Sequence, residues 1–213
     1  YNAETVKKGK AYYKEKLQRD FGLRVDPNAF LAASISRLTD QKGIDLIAAA
    51  AERLISRGAQ VIITGDGDDE HTRMVNELAQ RFPGRIGAYP IFNEPFSRQL
   101  YAGADVLLMP SRFEPCGLSQ LIAMRYGTVP VVRWTGGLRD TVTPCAGESG
   151  LGFVFEDYSV DALDGAFSAA ERLYNEDRRS WNALVQRDMN ADFSWDASAV
   201  RYQALYEGLV SGE

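Results

Sequence analysis

Five short apolar runs recur along this chain, and each is nearly continuous rather than alternating. They are "FLAASIS" (30–36), "QVIIT" (60–64), "RIGAY" (85–89), "DVLLMP" (105–110) and "VPVV" (129–132). A strand with one wet face alternates polar and apolar residues, whereas a continuous run needs cover on both faces. Helix-period stretches lie between them. Ile44, Ile47, Ala48, Ala51, Leu54 and Ile55 make one apolar helical face. A polar helix with Met74, Leu78 and Phe82 inside stops at Pro83-Gly84, and shorter helical pieces fall near 95–103 and 118–126. Past Gly152 come three more: one carrying Val160, Leu163, Phe167, Ala170 and Leu173, then stretches at 177–190 and 196–210. Strand–helix alternation of this kind specifies an α/β fold with a doubly wound parallel sheet. With no internal repeat, low-complexity segment or long linker, residues 1–213 are expected to form a single Rossmann-like domain.

Composition narrows the function classes. At 45 % hydrophobic and 25 % charged, the chain can bury a sizeable core without disulfides or metals. Lys and Arg number 24 against 29 Asp and Glu, which argues against nucleic-acid or anionic-membrane partners. An anionic small molecule needs only a few local cations and stays open. No apolar run is long enough to span a bilayer, and "YNAETVKKGK" has no signal-peptide core. Cys116 and Cys145 are too few for a disulfide framework and suit a reducing compartment. The single His71 argues against a His-based metal site or a Ser-His-Asp triad; no metal or other cofactor is expected.

In doubly wound sheets ligands bind beyond the carboxyl ends of the strands. After the first strand, "RLTDQKGIDL" places Arg37 and Lys42 around a turn into a helix, a plausible diphosphate clamp if they are not merely solvated charges. After the second, "GDGDDE" opens a set (Asp66, Asp68, Glu70, Glu77) with calcium-loop spacing. His71 stands where that loop needs Gly, so an ordinary turn is the better reading. After the third, Phe92 in "PIFNEPF" could stack on a base or sit in the core. After the fourth, "PSRFEPCGLSQL" offers Glu114 to accept bonds from sugar hydroxyls, and Gly117, Leu118 and Ser119 at a helix start to hold a phosphate. The alternatives there are a solvated acid and a capping serine. After the fifth, Thr135, Gly136 and Gly137 can bring backbone N–H groups to an anion, or simply make a tight turn. Any one of these is unremarkable; five on one sheet edge suggest a site.

"SRLTDQKGIDL", "PSRFEPCGLSQL", "YGTVPVV" and "TGGLRDTV", in this order, resemble the C-terminal half of bacterial glycogen synthases and plant starch synthases. "GKAYYKEKLQRDFGL" looks like the family's lead into that half and "FSWDASAVRYQALYEGLV" like its closing helix. The resemblance implies the C-terminal half of a GT-B glycosyltransferase. It would bind ADP-glucose, or UDP-glucose in some relatives, and the whole enzyme would add glucose with retention to the non-reducing end of an α-1,4-glucan.

By the same resemblance, Arg37 and Lys42 match the diphosphate contacts and Glu114 the acid beside the glucose. Cys116, Gly117, Leu118 and Ser119 match the donor loop, with Ser119 for the more usual Thr. Phe92 matches an aromatic that packs on adenine, and Thr135, Gly136 and Gly137 match the second phosphate loop. Trp134 replaces a commoner Arg or small residue. Ile122 stands where related transferases carry a second Glu, so Glu114 would act alone. The family's acceptor-side N-terminal domain is not represented, and His71 is expected on a polar helix away from the site. The chain alone is therefore expected to hold donor without transferring it. Alternatives are a retaining transferase of the sucrose-synthase kind or a non-catalytic nucleotide-sugar-binding module. The expected compartment is the bacterial cytoplasm, or the plastid stroma for a plant or algal source.

Overall fold

The computed structural model describes residues 1–211. Six strands form one parallel sheet: β1 (Leu31–Ile35), β2 (Gln60–Thr64), β3 (Ile86–Tyr89), β4 (Val106–Met109), β5 (Val129–Arg133) and β6 (Phe153–Phe155). Their order is β3-β2-β1-β4-β5-β6. The five expected strands are all present: β1 and β4 lose one residue at each end, β3 loses one at its start, β2 is unchanged and β5 gains Arg133. The sixth is an addition, a three-residue edge strand that pairs Val131 with Phe153 and Arg133 with Phe155.

The helices are α1 (Val6–Asp20), α2 (Ile44–Ser56), α3 (Asp69–Arg81), α4 (Glu94–Gly103), α5 (Ser119–Arg125), α6 (Gly137–Thr141), α7 (Val160–Glu176), α8 (Arg178–Asn190) and α9 (Trp195–Ser211). A single 3-10 turn, Asp40–Lys42, precedes α2. Because side chains alternate across a strand, the near-continuous apolar runs supply two cores. Ala32, Val61, Ile63, Val106, Leu108, Val129 and Val131 face one layer, and Phe167, Tyr174 and Trp181 pack there around Phe30 at centroid distances of 4.9 to 5.8 Å. Leu31, Ala33, Ile35, Ile62, Leu107 and Val132 face the other layer, with Leu17, Leu100, Tyr101 and Leu138. Phe167 is fully buried, so its truncation to Ala should cost about 3–5 kcal/mol.

α1 is anchored by polar contacts as well as by packing. Lys14 Nζ lies 2.6 Å from Asp105 Oδ2 and also donates to the Ala29 carbonyl and the Tyr174 hydroxyl. Asp105 Oδ2 accepts from the Leu31 backbone N–H as well, so a fully bonded buried pair ties α1 to the amino ends of β1 and β4. In α3 the buried residues are His71, Val75 and Leu78. Met74 and the C-cap residue Phe82 are partly buried and pack against the same core, so the expected inner face holds, with His71 and Val75 added to it. α9 carries Trp195, Val200, Tyr202, Leu205, Tyr206, Leu209 and Val210, all exposed. No described helix is long and apolar enough to cross a membrane.

The strand order reverses between β1 and β4, which pair Ala32 with Val106 and Ala33 with Leu107. From β1 the chain winds outward to β2 and β3, and from β4 to β5 and β6. The loops leaving these two central strands therefore diverge and open a crevice at their carboxyl ends.

Candidate functional site: the strand-end crevice

The crevice brings together the two segments that hold the most chemistry. The loop after β1 supplies Arg37 and the turn ending in Lys42; the loop after β4 supplies Ser111 to Leu118. Arg37, Lys42, Ser111 and Ser119 line one cavity of about 190 Å³, floored by Ile35, Leu108 and Met109. Gly43 makes the close approach possible. Its φ is +74°, and a Cβ there would stand 2.2 Å from the Pro110 carbonyl oxygen. No L side chain fits.

Glu114 is buried, at 6 % exposure, so it is no solvated surface acid. Its Oε2 sits 2.5 Å from Lys42 Nζ and accepts from Ser111 Oγ at 3.3 Å. A carboxylate out of water needs a cation and donors to remain ionised, and here both come from the crevice. The ammonium has three N–H donors, and Glu114 accepts one. Arg37 is exposed, and among the described residues its guanidinium donates to Gln41 Oε1, at 3.2 Å. Two cations with spare donors thus face the same small volume.

Loop-to-loop contacts knit the other strand ends to this centre. The Gly137 N–H donates to the Glu114 carbonyl at 2.8 Å. At Gly136, with φ +50°, a Cβ would lie 2.1 Å from that carbonyl. The two glycines are therefore required for the loop after β5 to reach the loop after β4, beyond any need for a tight turn. Gln120, fully buried, donates to the Gly117 carbonyl at 2.8 Å and to Thr141 Oγ1 at 3.0 Å, fixing the loop after β4 against α6. On the other side, the Leu38 N–H donates to the Asp66 carbonyl at 2.7 Å. Asp66 Oδ1 in turn accepts from the Phe92 N–H at 2.6 Å. Phe92 is 60 % exposed, which removes the core reading.

Several residues stand otherwise than the sequence suggests. Ser119 is the first residue of α5 and makes no cap; it lines the cavity instead. Trp134 is turned back on its own loop, with Nε1 donating to the Val142 carbonyl at 3.2 Å and Arg139 stacked over the ring. Cys116 is exposed and Cys145 half-buried, both free thiols. The acids with calcium-loop spacing do not gather: Asp68 caps α3 instead, accepting from the His71 N–H at 2.9 Å. Among the described residues no group of three or more His, Cys, Asp or Glu could hold a metal ion.

The largest correction is His71, which is not remote. Its ring is buried, with Nδ1 2.8 Å from Asp68 Oδ1 and Nε2 3.1 Å from Asp40 Oδ1. Asp40 opens the turn that Lys42 closes. Arg112 meets the same turn from the β4 side. Its backbone N–H donates to the Gln41 carbonyl and its Nε to the Asp40 carbonyl, while Nη2 pairs with Asp45. Spacing gave no signal for these contacts, because they join residues 31 and 72 positions apart.

A parallel sheet with two cations in the crevice at its switch point has the place and the charge to receive an anionic ligand. The chain matches the family described as Glycosyl transferases group 1 over residues 29–172, a span that takes in all six strands and every loop of the crevice; it belongs to that family. Within it, the chain is of the glycogen synthase and starch synthase kind. It is 42 % identical to the glycogen synthase of Lachnospira eligens over 98 % of its own length, and 47 % identical to that of Anaeromyxobacter dehalogenans over 96 %. It spans only 44 % and 43 % of those proteins. Among solved structures, the catalytic domain of starch synthase IV from Arabidopsis thaliana, bound to ADP and acarbose, superposes with a TM-score of 0.88 at 34 % identity. That match covers 99 % of this chain and 44 % of the other.

Proposed function

We propose that this chain is the donor-binding domain of a retaining glucosyltransferase that extends an α-1,4-glucan from ADP-glucose. In this reading residues 1–213 form one domain, and the acceptor side belongs to a separate domain of the whole enzyme. The observation that supports it most is the cavity lined by Arg37, Lys42 and Ser119, with Glu114 buried against Lys42. Arg37 and Lys42 hold the diphosphate and offset the charge that builds on the departing nucleotide. Ser119 adds a hydroxyl donor, and Cys116, Gly117 and Leu118 shape the loop beside it. Thr135, Gly136 and Gly137 form the second phosphate loop, and Phe92 stacks on the base. Glu114 accepts hydrogen bonds from glucose hydroxyls. The ADP in the starch synthase IV structure favours the adenine nucleotide over UDP, and similarity to bacterial glycogen synthases favours the cytoplasm over the plastid.

Every one of these groups holds donor, and none of them orients a glucan end. Titration calorimetry should therefore show ADP-glucose binding to the chain alone, tighter than UDP-glucose. Glucose transfer to glycogen by the same chain should stay at background, and joining it to the acceptor-side domain of a relative should restore transfer. Absence of ADP-glucose binding would refute the donor assignment. Robust elongation by the 213-residue chain alone would refute the division of labour.

A further inference from the structure

His71 is the one histidine in the chain, and both of its ring nitrogens face carboxylate oxygens. A neutral imidazole has one N–H donor and one lone pair, so it can satisfy one of these partners and must repel the other. Only the imidazolium donates to both. One partner, Asp68, is the cap of α3. The other, Asp40, begins the 3-10 turn that ends in Lys42 and follows Arg37 by three residues. The Asp68–His71–Asp40 bridge therefore ties the phosphate-side turn to a helix that carries none of the binding groups.

From this geometry we infer that His71 is a positioning residue for the Arg37–Lys42 turn, and that its protonation couples donor affinity to pH. The inference rests on the donor-site reading above. The turn is gripped on two sides: Arg112 holds its backbone carbonyls at Asp40 and Gln41, and His71 holds the Asp40 side chain. The Arg112 grip persists at any working pH, and the His71 grip exists in full only when the ring is charged. The charged groups facing the ring are Asp68, from its own helix cap, and Asp40, from the turn. Both raise its affinity for a proton, although burial opposes them. Deprotonation leaves a lone pair against one of the two carboxylates. The Asp40 side of the bridge is longer, at 3.1 against 2.8 Å, and Asp40 is 74 % exposed. That contact is the one that lets go, and the turn is then held from the Arg112 side alone.

ADP-glucose is the suitable probe, because its two phosphates carry one charge each throughout the range in which a histidine titrates. Its dissociation constant should rise about two- to fivefold between about pH 6 and pH 8.5, the scale of an exposed charge pair. His71→Gln should show the weaker affinity at both pH values, with the His71 share of the pH dependence gone. Lys10, half-buried beyond the amino ends of β4 and β5, is pushed down to about 7 by desolvation and titrates nearby; any slope it gives would survive in His71→Gln, so the two are separable. The lone imidazole also gives a single NMR titration curve. Its midpoint should lie above the ordinary value, fall in Asp40→Asn, and rise by about 0.3–0.7 pH unit at saturating ADP-glucose, the reciprocal of the affinity change. Should His71→Gln fail to fold, Asp40→Asn alters an exposed side chain and carries the same test.

Failure of ADP-glucose to bind at any pH would overturn the donor-site reading itself. Donor binding with a flat pH profile, or a His71→Gln variant that loses stability yet keeps wild-type affinity and pH profile, would overturn the coupling and leave the donor site standing. An imidazole midpoint unmoved by either Asp40→Asn or ADP-glucose would also overturn it.

Discussion

The Lys42–Glu114 pair gives a decisive test of what the crevice is built for. Lys42→Met removes the cation paired with a carboxylate whose side chain is 7 % exposed, leaving it, among the described residues, the Ser111 hydroxyl at 3.3 Å. Breaking a buried pair by deleting one partner costs about 3–5 kcal/mol, because the survivor keeps its desolvation penalty. The adjoining cavity admits water to part of the site, which sets the expectation near the lower end, about 3 kcal/mol. Glu114→Gln leaves behind Lys42, whose side chain is 18 % exposed and can be hydrated, so about 1 kcal/mol is expected. The double variant Lys42→Met/Glu114→Gln has no orphan charge and should return to within about 1 kcal/mol of the original chain. Urea unfolding reads this directly: with a slope of about 1–3 kcal/mol per M, the first variant loses roughly 1 M or more of midpoint and the double variant regains most of it. If the two single losses simply add in the double variant, the pair is not coupled and Glu114 is not held as an ion by Lys42.

Other consequences follow from the same contacts. Lys42→Ala should weaken ADP binding by about 1.5–3 kcal/mol, the range for a charge-assisted bond; unchanged calorimetric affinity would remove Lys42 from the diphosphate site. Phe92→Ala should weaken ADP by about 1–3 kcal/mol and leave pyrophosphate unaffected, since stacking touches only the base; equal losses for both ligands would place its role elsewhere. Iodoacetamide should label exposed Cys116 well before Cys145, whose thiol burial pushes up, and ADP-glucose should protect Cys116; mass spectrometry of the labelled peptides decides. His71 binds its proton more tightly folded than unfolded. Its contribution to stability is therefore complete below about pH 6.5 and is lost as pH rises through the higher folded value. The urea midpoint of the original chain should fall across that window relative to His71→Gln.

The parallel sheet was legible because a strand buried on both faces leaves a continuous apolar run, and five of the six strands do so. β6 escaped because Phe153–Phe155 is three residues long, pairs on one side only and lacks the length to show a period. α6 escaped for the same reason, five residues being barely more than one turn. Among the site residues, those immediately after strands could be found from position alone, since the strand end fixes where they emerge. What position could not give was whether they were paired. Glu114 reads in sequence as a polar residue in a loop, and only the fold shows it buried on Lys42, 72 residues away. His71 was misplaced because helical spacing marks it as part of a polar stretch. Its burial comes from a turn on another strand's loop, which no local pattern encodes.

That separation between local and long-range signals bears on why the crevice has the composition it has. An apolar lining would give the fold as much stability as the Lys42–Glu114 pair does, because the charges give up in desolvation most of what they gain in attraction. Gly43 and Gly136, with their positive φ, likewise cost backbone entropy for the sake of close approaches. The polar groups are nonetheless fixed before any ligand arrives, and fixed donors and charges need no reorganisation when they meet a diphosphate. The double variant of the first prediction separates the two demands. It should be about as stable as the original chain and should bind ADP no better than Lys42→Ala. A chain that keeps its stability while losing its ligand would show that this pair is kept for the site and that the surrounding cores hold the fold without it.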